Sequence, residues 1–397
     1  MRSVGSEAVP IASSQPEPLP LVFCGPLRYV QGAGVTRRLA AEMQAVGLSG
    51  PVLVVAGSAA VARLARSWAE SFHDAGWLHR VVGFGGESSR REIAAISAEA
   101  ESLAAAVIVG AGGGKALDAS RSAAAARGLP FVSCPTICST DAPTSALSVI
   151  YTDDGPHRVA VEAYQIHRRS PDLVLVDTQV IAESPPRFLA AGIGDAMSTF
   201  YEARAVAAAG RPNMRGGRST LAALELARLC RDVTIEFAAA ALDACRRQVV
   251  DDPLNRVVEA ATLLSGLGFE SAGLAAAHAV HNGLVAIPET HGMLHGEKVA
   301  FGTLVQLTLE SHSAADAEAR AAATAEVRRL VCFFGQIGLP VTLGQLGITD
   351  AAAVAVIALR AVQADETIHN MPFPVTADSV AAAIVAADAL GHSAAGS

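Results

Sequence analysis

A chain of 397 residues exceeds the usual size of a single hydrophobic core, so two domains are expected. Apolar residues make up 51% and charged ones 17%, which excludes an intrinsically disordered chain. A formal charge of -8, with no basic stripe interleaved with aromatics, argues against a nucleic-acid partner. Gly, Pro and charges interrupt every apolar run before the ~18 residues of a membrane span, so the expectation is a cytoplasmic protein with no membrane partner.

In chain order, residues 1–20 are rich in Pro and Ser and lack the apolar core of a secretory signal, which reads as a flexible extension. VLVVAG (52–57), RVVGF (80–84), AVIVGAG (106–112), PFVSCP (130–135) and DLVLVD (172–177) are rich in β-branched residues and end at Gly, Pro or Asp, so they predict strands. Ala-rich segments of helical length, among them AAVARLARSWAESFHDAG and SSRREIAAISAEAESLAA, separate the first of them. That alternation predicts an α/β domain over residues 21–180 with a mostly parallel, Rossmann-like nucleotide-binding sheet. Beyond about Val180 Ala/Leu helices dominate through Ser397, predicting an all-α domain over 181–397 and a ligand cleft between the two. The six cysteines, at 24, 134, 138, 230, 245 and 332, form no CxxC pair and read as reduced thiols.

Of the 30 basic residues only Lys115 and Lys298 are lysines, and both fall in segments that carry chemistry. The first is VIVGAGGGKALDAS (107–120). A strand, a glycine run and then helix formers bring bare backbone amides and a helix N-terminus against a diphosphate. The spacing fits neither the GxGxxG fingerprint, which needs Gly where Lys115 stands, nor the P-loop, which needs Gly at Val109 and Ser or Thr at Ala116. A carboxylate is expected at the end of an earlier strand to hold the adenosine ribose, but VLVVAGSAA supplies Gly57 and Ser58 there.

The second segment is AAAHAVHNGLVAIPETHGMLHGEKVAFG, which holds four of the eleven histidines: His278, His281, His291 and His295. His278 and His281 share a helix face, and Pro288 and Gly292 end that helix and return the chain with His295. Two imidazoles and one carboxylate with a vacant position form the ligand set of a catalytic divalent metal. Many carboxylates are available. Asp195 in GIGDAMSTF follows two glycines and opens a helical stretch, where capping a helix is the other role for it.

Taken in series, GGESSRREI, GAGGGKALDAS, STDAPTSALSVIYTDDG, AAGIGDAMSTFYEARA, LLSGLGFESAGLAAAHAVHNGL and HGEKVAFGTLVQL resemble the iron-containing alcohol dehydrogenase superfamily, within it the glycerol dehydrogenase branch. The resemblance runs from about Leu21 to Leu390. It implies the dehydroquinate-synthase-like fold and one divalent ion, zinc rather than iron, bound by Asp195, His278 and His295, which also face the substrate. It implies nucleotide contacts at Gly114, Lys115, Ala116, Leu117 and Asp118, with Gly112 and Gly113 leading into them, at Thr136, Ile137, Cys138 and Ser139, and at Ser145, Leu147 and Tyr151. Asp141 in STDAP matches the residue that meets a polyol, and the assembly implied is a homo-oligomer, often an octamer.

The activity implied is oxidation of glycerol or a related vicinal diol to the hydroxyketone, with hydride transfer to NAD(P). In that chemistry Asp141 accepts a hydrogen bond from a substrate hydroxyl, His281 relays the released proton, Tyr151 packs at the nicotinamide side, and Lys298 supports the metal loop or pairs with Glu297. Three departures stand out. Gly57 replaces the usual ribose-binding Asp and predicts reduced discrimination against NADP. HRVAVEAYQIHRR (157–169) is longer and more basic than the usual hairpin, and the first twenty residues have no counterpart. A redox-neutral sugar-phosphate cyclase of the same fold, of the dehydroquinate or inosose synthase type, is the rival enzyme class, and a non-catalytic binding protein is the other.

Overall fold

The computed structural model describes residues 19–152 and 161–395. Residues 1–18 of the expected extension and 157–160 of the basic hairpin segment lie outside these. Pro20 is already tied down, its carbonyl accepting the Arg218 N–H at 2.8 Å.

The first half alternates strand and helix: β1 (Tyr29–Gly32), α1 (Leu39–Gln44), β2 (Val52–Ala56), α2 (Ser58–Asp74), β3 (His79–Gly83), α3 (Arg90–Leu103), β4 (Val107–Gly112), α4 (Gly114–Arg127) and β5 (Phe131–Pro135). A hairpin, β6 (Leu147–Tyr151) with β7 (Val161–Ile166), interrupts the series before β8 (Leu173–Asp177). Six strands form one parallel sheet in the order β1-β8-β5-β4-β2-β3. All five predicted strands are in it. The additional strand, β1, reads YVQG and offers too short an apolar run to be recognised.

Both faces of the sheet are covered, which is why its central strands read as continuous apolar runs rather than alternating ones. Val52, Val54, Val107 and Val109 pack with Leu64, Trp68 and Phe72 of α2, whereas Leu53, Val55 and Ile108 pack with Ile96 and Ala100 of α3 and with Ala119 and Ala123 of α4. The strand order also locates a crevice. From β2 the chain moves outward to β3 and then returns to β4 on the other side of β2, so the connections after β2 and β4 leave in opposite directions. Ligands of open parallel sheets bind outside the carboxyl ends of the strands at such a switch. Here those ends are Gly57 and Gly112–Gly114, whose strands are in register at Ala56 and Ala111.

After β8 the described residues form no further sheet strand and the chain is helical: α5 (Thr178–Ala182), α6 (Pro186–Ala208), α7 (Leu221–Arg246), α8 (Asp252–Glu259), α9 (Ser265–Ala272), α10 (Ala276–Val285), α11 (His295–His312), α12 (Ala317–Gln336), α13 (Ala352–Ala361) and α14 (Ala377–Ala395). A second core, with Ile193, Met197, Tyr201, Phe301, Leu304 and Phe334 at its centre, holds them together. The α/β and all-α halves are those that the sequence predicts. No single helix among the described residues is long and apolar enough to cross a membrane.

Candidate active site and metal centre

Asp195, His278 and His295 come from three helices, α6, α10 and α11, and their ligand atoms lie within 4.8 Å of one another. His278 Nε2 is 3.6 Å and His295 Nε2 3.2 Å from Asp195 Oδ1. Ligands bound to one tetrahedral ion at ~2.0–2.1 Å sit roughly 3.3–3.5 Å apart, so the spacing suits a divalent cation. The carboxylate supplies a second test. Asp195 is 1% exposed, its Oδ2 accepts the Asp141 N–H at 3.1 Å, and its Oδ1 has no hydrogen-bond partner. A buried carboxylate oxygen left bare between two imidazole nitrogens is the acceptor a cation would satisfy. Burial pushes the Asp195 carboxyl up, but the facing His295 and His278 overcome it and hold the group well below the usual carboxylate range.

Asp195 does not open its helix, contrary to the sequence expectation. It is the tenth residue of α6, and the glycines before it serve close approach rather than a loop. A Cβ on Gly194 would stand 2.5 Å from the Gly296 carbonyl of α11, and one on Gly296 would run into the Ala191 carbonyl of α6. One on Gly192 would strike the Cys138 carbonyl of the loop after β5. Asp195 and His295 thus each have a glycine beside them that lets α6 and α11 touch backbone to backbone.

The helix that carries His278 has no N-cap side chain of its own. Its leading amides are capped from the two neighbouring helices. Glu202 of α6 accepts from Ala275 N–H at 2.8 Å and His278 N–H at 3.1 Å, while Gln306 of α11 accepts from Ala276 and Ala277 N–H at 3.1 and 3.0 Å. The other oxygen of Glu202 lies 2.6 Å from His278 Nδ1. Sequence reading missed Glu202, although its spacing of seven from Asp195 puts both carboxylates on one face of α6. Against burial, Glu202 and Asp195 raise the His278 imidazole well above its usual range.

Of the other two histidines, His281 joins the cluster and His291 does not. The His281 ring lies 4.2 Å from that of His295, its Nδ1 is 3.1 Å from Asn282 Oδ1, and burial, reinforced by His295, Lys298 and His278, pushes its pKa well below the usual value. His291 is exposed against the Val285 carbonyl. Asp141 is buried with Oδ2 accepting from Ser265 Oγ at 2.8 Å, and burial, then the Asp195 charge, push its pKa well up.

The expected pairing of Lys298 with Glu297 is not formed. Glu297 is taken by Arg187 at 2.6 and 2.8 Å and by the Leu294 N–H at 2.7 Å, which ties the first turn of α11 to that of α6. Lys298 is 7% exposed, and its ammonium has no hydrogen-bond or ion-pair partner among the described residues. Burial, with Lys115 nearby and Glu297 opposing, pushes its pKa down to about 8.

The glycine loop delivers the N-terminus of α4 at the switch point, with Gly113 as N-cap and no acidic residue in the first turn, a polarity suited to a diphosphate. Lys115 Nζ is held by Glu87 at 2.6 Å and lies 4.9 Å over the Tyr151 ring. Thr136 N–H donates to the Gly112 carbonyl at 3.0 Å, which brings the Thr136–Ser139 loop beside it. Not every expected nucleotide residue presents its side chain. Leu117 and Cys138 turn into the core, as does Ser145. Asp118 is buried, with one oxygen 2.7 Å from Arg121 Nη1 and the other accepting Val149 N–H at 3.0 Å. Gly57 ends β2 as the N-cap of α2 with ordinary extended dihedrals, and open space surrounds the position of a Cβ there.

The chain is similar to known proteins along nearly its whole length. Residues 26–178 match the iron-containing alcohol dehydrogenase family. A glycerol dehydrogenase of Escherichia coli O6:H1 is 46% identical over 94% of this chain and 97% of its own, and a glycolaldehyde reductase of Halobacterium salinarum is 44% identical over 94% and 98%. The crystal structure of glycerol dehydrogenase from Schizosaccharomyces pombe superposes with a TM-score of 0.86 at 35% identity, over 94% of this chain and 91% of that one. Near-complete coverage at such identity, on a fold whose three central helices converge on one carboxylate and two imidazoles, shows that the chain belongs to the iron-containing alcohol dehydrogenase family, in its glycerol dehydrogenase branch.

Proposed function

We propose that the chain oxidises glycerol or a closely related vicinal diol reversibly to the hydroxyketone, with NAD as oxidant and one divalent cation, zinc in preference to iron. The observation that carries this is the bare Asp195 Oδ1 set 3.2 and 3.6 Å from two imidazole nitrogens, together with a glycine loop whose helix N-terminus suits a diphosphate. When bound, the cation supplies Lewis acidity to the diol hydroxyls and the nicotinamide supplies a two-electron acceptor. Asp195, His278 and His295 would hold the cation, and the Asp141 N–H keeps Asp195 turned toward it. The Asp141 carboxyl would bind a substrate hydroxyl. His281, packed on His295, would take up the released proton through a hydrogen-bonded hydroxyl or water.

The amides of Gly114 and Lys115 would receive the diphosphate, with Tyr151 lining the nicotinamide side. The division of labour would give residues 21–180 the nucleotide and 181–397 the cation and most of the diol site, with Asp141 reaching the diol from the first domain. Leu21 at 65% and Leu221 at 83% exposure, near the bridge from Leu21 to Arg218, support assembly into a homo-oligomer, and a cytoplasmic location fits the reduced cysteines. A cyclase acting on a sugar phosphate would need several free cations at the ligands, where Arg187 is already committed to Glu297.

The test is turnover with metal analysis. Protein loaded with Zn2+ should convert glycerol or 1,2-propanediol while forming NADH, and a chelator should abolish the reaction. Consumption of a sugar phosphate without net NADH, or no NADH from any vicinal diol, would overturn the proposal.

A further inference from the structure

Three donors converge on Glu202. The Ala275 and His278 amides can only donate, and both point at Oε1, at 2.8 and 3.1 Å. The carboxylate has no hydrogen to give, so the 2.6 Å contact between Oε2 and His278 Nδ1 places the imidazole proton on Nδ1. With Nδ1 so occupied, Nε2 is the nitrogen left for a cation, and it is the one that lies 3.6 Å from Asp195 Oδ1. Glu202 is completely buried, so water does not compete for these bonds.

We propose that Glu202 is a positioning residue for the cation, fixing both the tautomer of His278 and the start of the helix that carries it. The proposal rests on the assignment of a divalent cation to Asp195, His278 and His295, and goes beyond it to a carboxylate that binds no cation itself. Outer carboxylates of this kind raise the basicity of the imidazole and lock its orientation, and losing one costs 10–100-fold in metal affinity.

Glu202→Gln separates this from a purely structural cap. The amide oxygen still accepts the two backbone N–H groups, so the helix start keeps its bonds. The amide NH2 then faces Nδ1, which must become the acceptor, and the proton moves to Nε2, where it blocks the cation. A cap alone would be served nearly as well by Gln.

The experiment measures Co2+ and Zn2+ affinity by chelator competition, the visible spectrum of the Co2+-loaded proteins, and the melting temperature of the chelator-treated ones. Glu202→Gln is expected to bind both ions roughly 10–100-fold more weakly, with altered Co2+ bands and a metal-free melting temperature within a degree or two of wild type. Wild-type affinity and spectrum in the variant would overturn the proposal. So would a fall in affinity matched by an equal fall in metal-free stability, which is the signature of a cap. A second readout needs no variant. In Co2+-loaded wild type the Nδ1 proton of His278 should appear as a paramagnetically shifted, slowly exchanging resonance, and its absence would also overturn the assignment. None of these readouts involves glycerol, so a chain that binds Co2+ normally but oxidises no diol refutes the proposed activity and leaves Glu202 standing. No Co2+ uptake by wild type removes the cation assignment and the proposal with it.

Discussion

Gly194→Ala puts one methyl group into the closest contact between the helices that carry Asp195 and His295. The new Cβ would stand 2.5 Å from the Gly296 carbonyl oxygen and 3.1 Å from both Ala300 Cβ and Leu339 Cδ1. A carbon and a carbonyl oxygen ordinarily rest at ~3.3 Å or more, so the helices must part by roughly 0.8 Å. Two effects compete. Replacing a mid-helix glycine by alanine gains about 1 kcal/mol of helix propensity, whereas forcing an extra methyl into a packed interior costs about 1–3 kcal/mol. The carbonyl belongs to backbone and cannot rotate away, so the steric term should win by about 1 kcal/mol. The cation should feel more. Opening the 3.2 Å gap between Asp195 Oδ1 and His295 Nε2 to ~4 Å exceeds what two bonds of ~2.1 Å span in tetrahedral geometry. Calorimetry should therefore show a melting temperature lower by a degree or two, and chelator competition a Zn2+ affinity at least about tenfold weaker. A variant that melts higher than wild type and keeps its Zn2+ affinity would mean that propensity dominates and that the contact is not tight.

Removing the cation with a chelator should destabilise the protein and restore it on readdition, because three helices lose a common tether; at a thousandfold excess over Kd the effect is about 4 kcal/mol, and equal melting curves with and without cation would contradict the ligand assignment. Gly57→Asp fits without strain in open space and puts a carboxylate at the end of β2. It should raise the ratio of activity with NAD to activity with NADP about tenfold or more, and an unchanged ratio at equal cofactor concentration would show that another group sets the preference. Lys298→Met should stabilise protein free of metal and nucleotide at pH 7. The folded amine titrates near 8, below its unfolded value, so the protonated form opposes folding by roughly 3 kcal/mol. That cost is full below about pH 8, shrinks as pH rises and vanishes near the ordinary lysine value of ~10.4. Thermal melts should show a gain of a few degrees at pH 7 that disappears by pH ~10.5, and a gain independent of pH would show that packing, not charge, is responsible.

How much of this was legible depends on whether the signal is local. The central strands announced themselves because burial on both faces makes Val52–Ala56 and Val107–Gly112 uniformly apolar. The shared face of His278 and His281 and the return at His295 followed from helical spacing and from Pro288 and Gly292, as the helix ending at Val285 and the new one beginning at His295 bear out. Two glycines ahead of Asp195 suggest a helix start in the sequence, whereas their reason lies in Gly296 and Cys138, which are remote in sequence. Glu202 carried a usable signal, a second carboxylate two turns along the same face. Gln306 carried none, since no pattern around it states that it caps a helix thirty residues earlier. Asp118 lies in the nucleotide motif, yet its carboxylate is committed to Arg121, three residues on in the same helix, and to Val149, a contact that depends on how the hairpin folds back over α4.

The borrowed caps of α10 bear on the order in which the chain is made. Its Ala-rich ten residues begin with no capping side chain of their own, and an isolated helix of that length is marginal in water. Gln306 emerges from the ribosome well after His278. Until then the helix start lacks half of its acceptors, and the imidazoles are not yet held in facing directions. A metal ion reaching the nascent chain would meet separate histidines of ordinary weak affinity rather than a formed trap. On the proposed ligand set, tight uptake would wait until α6, α10 and α11 have docked, so that the core is complete before an ion is held.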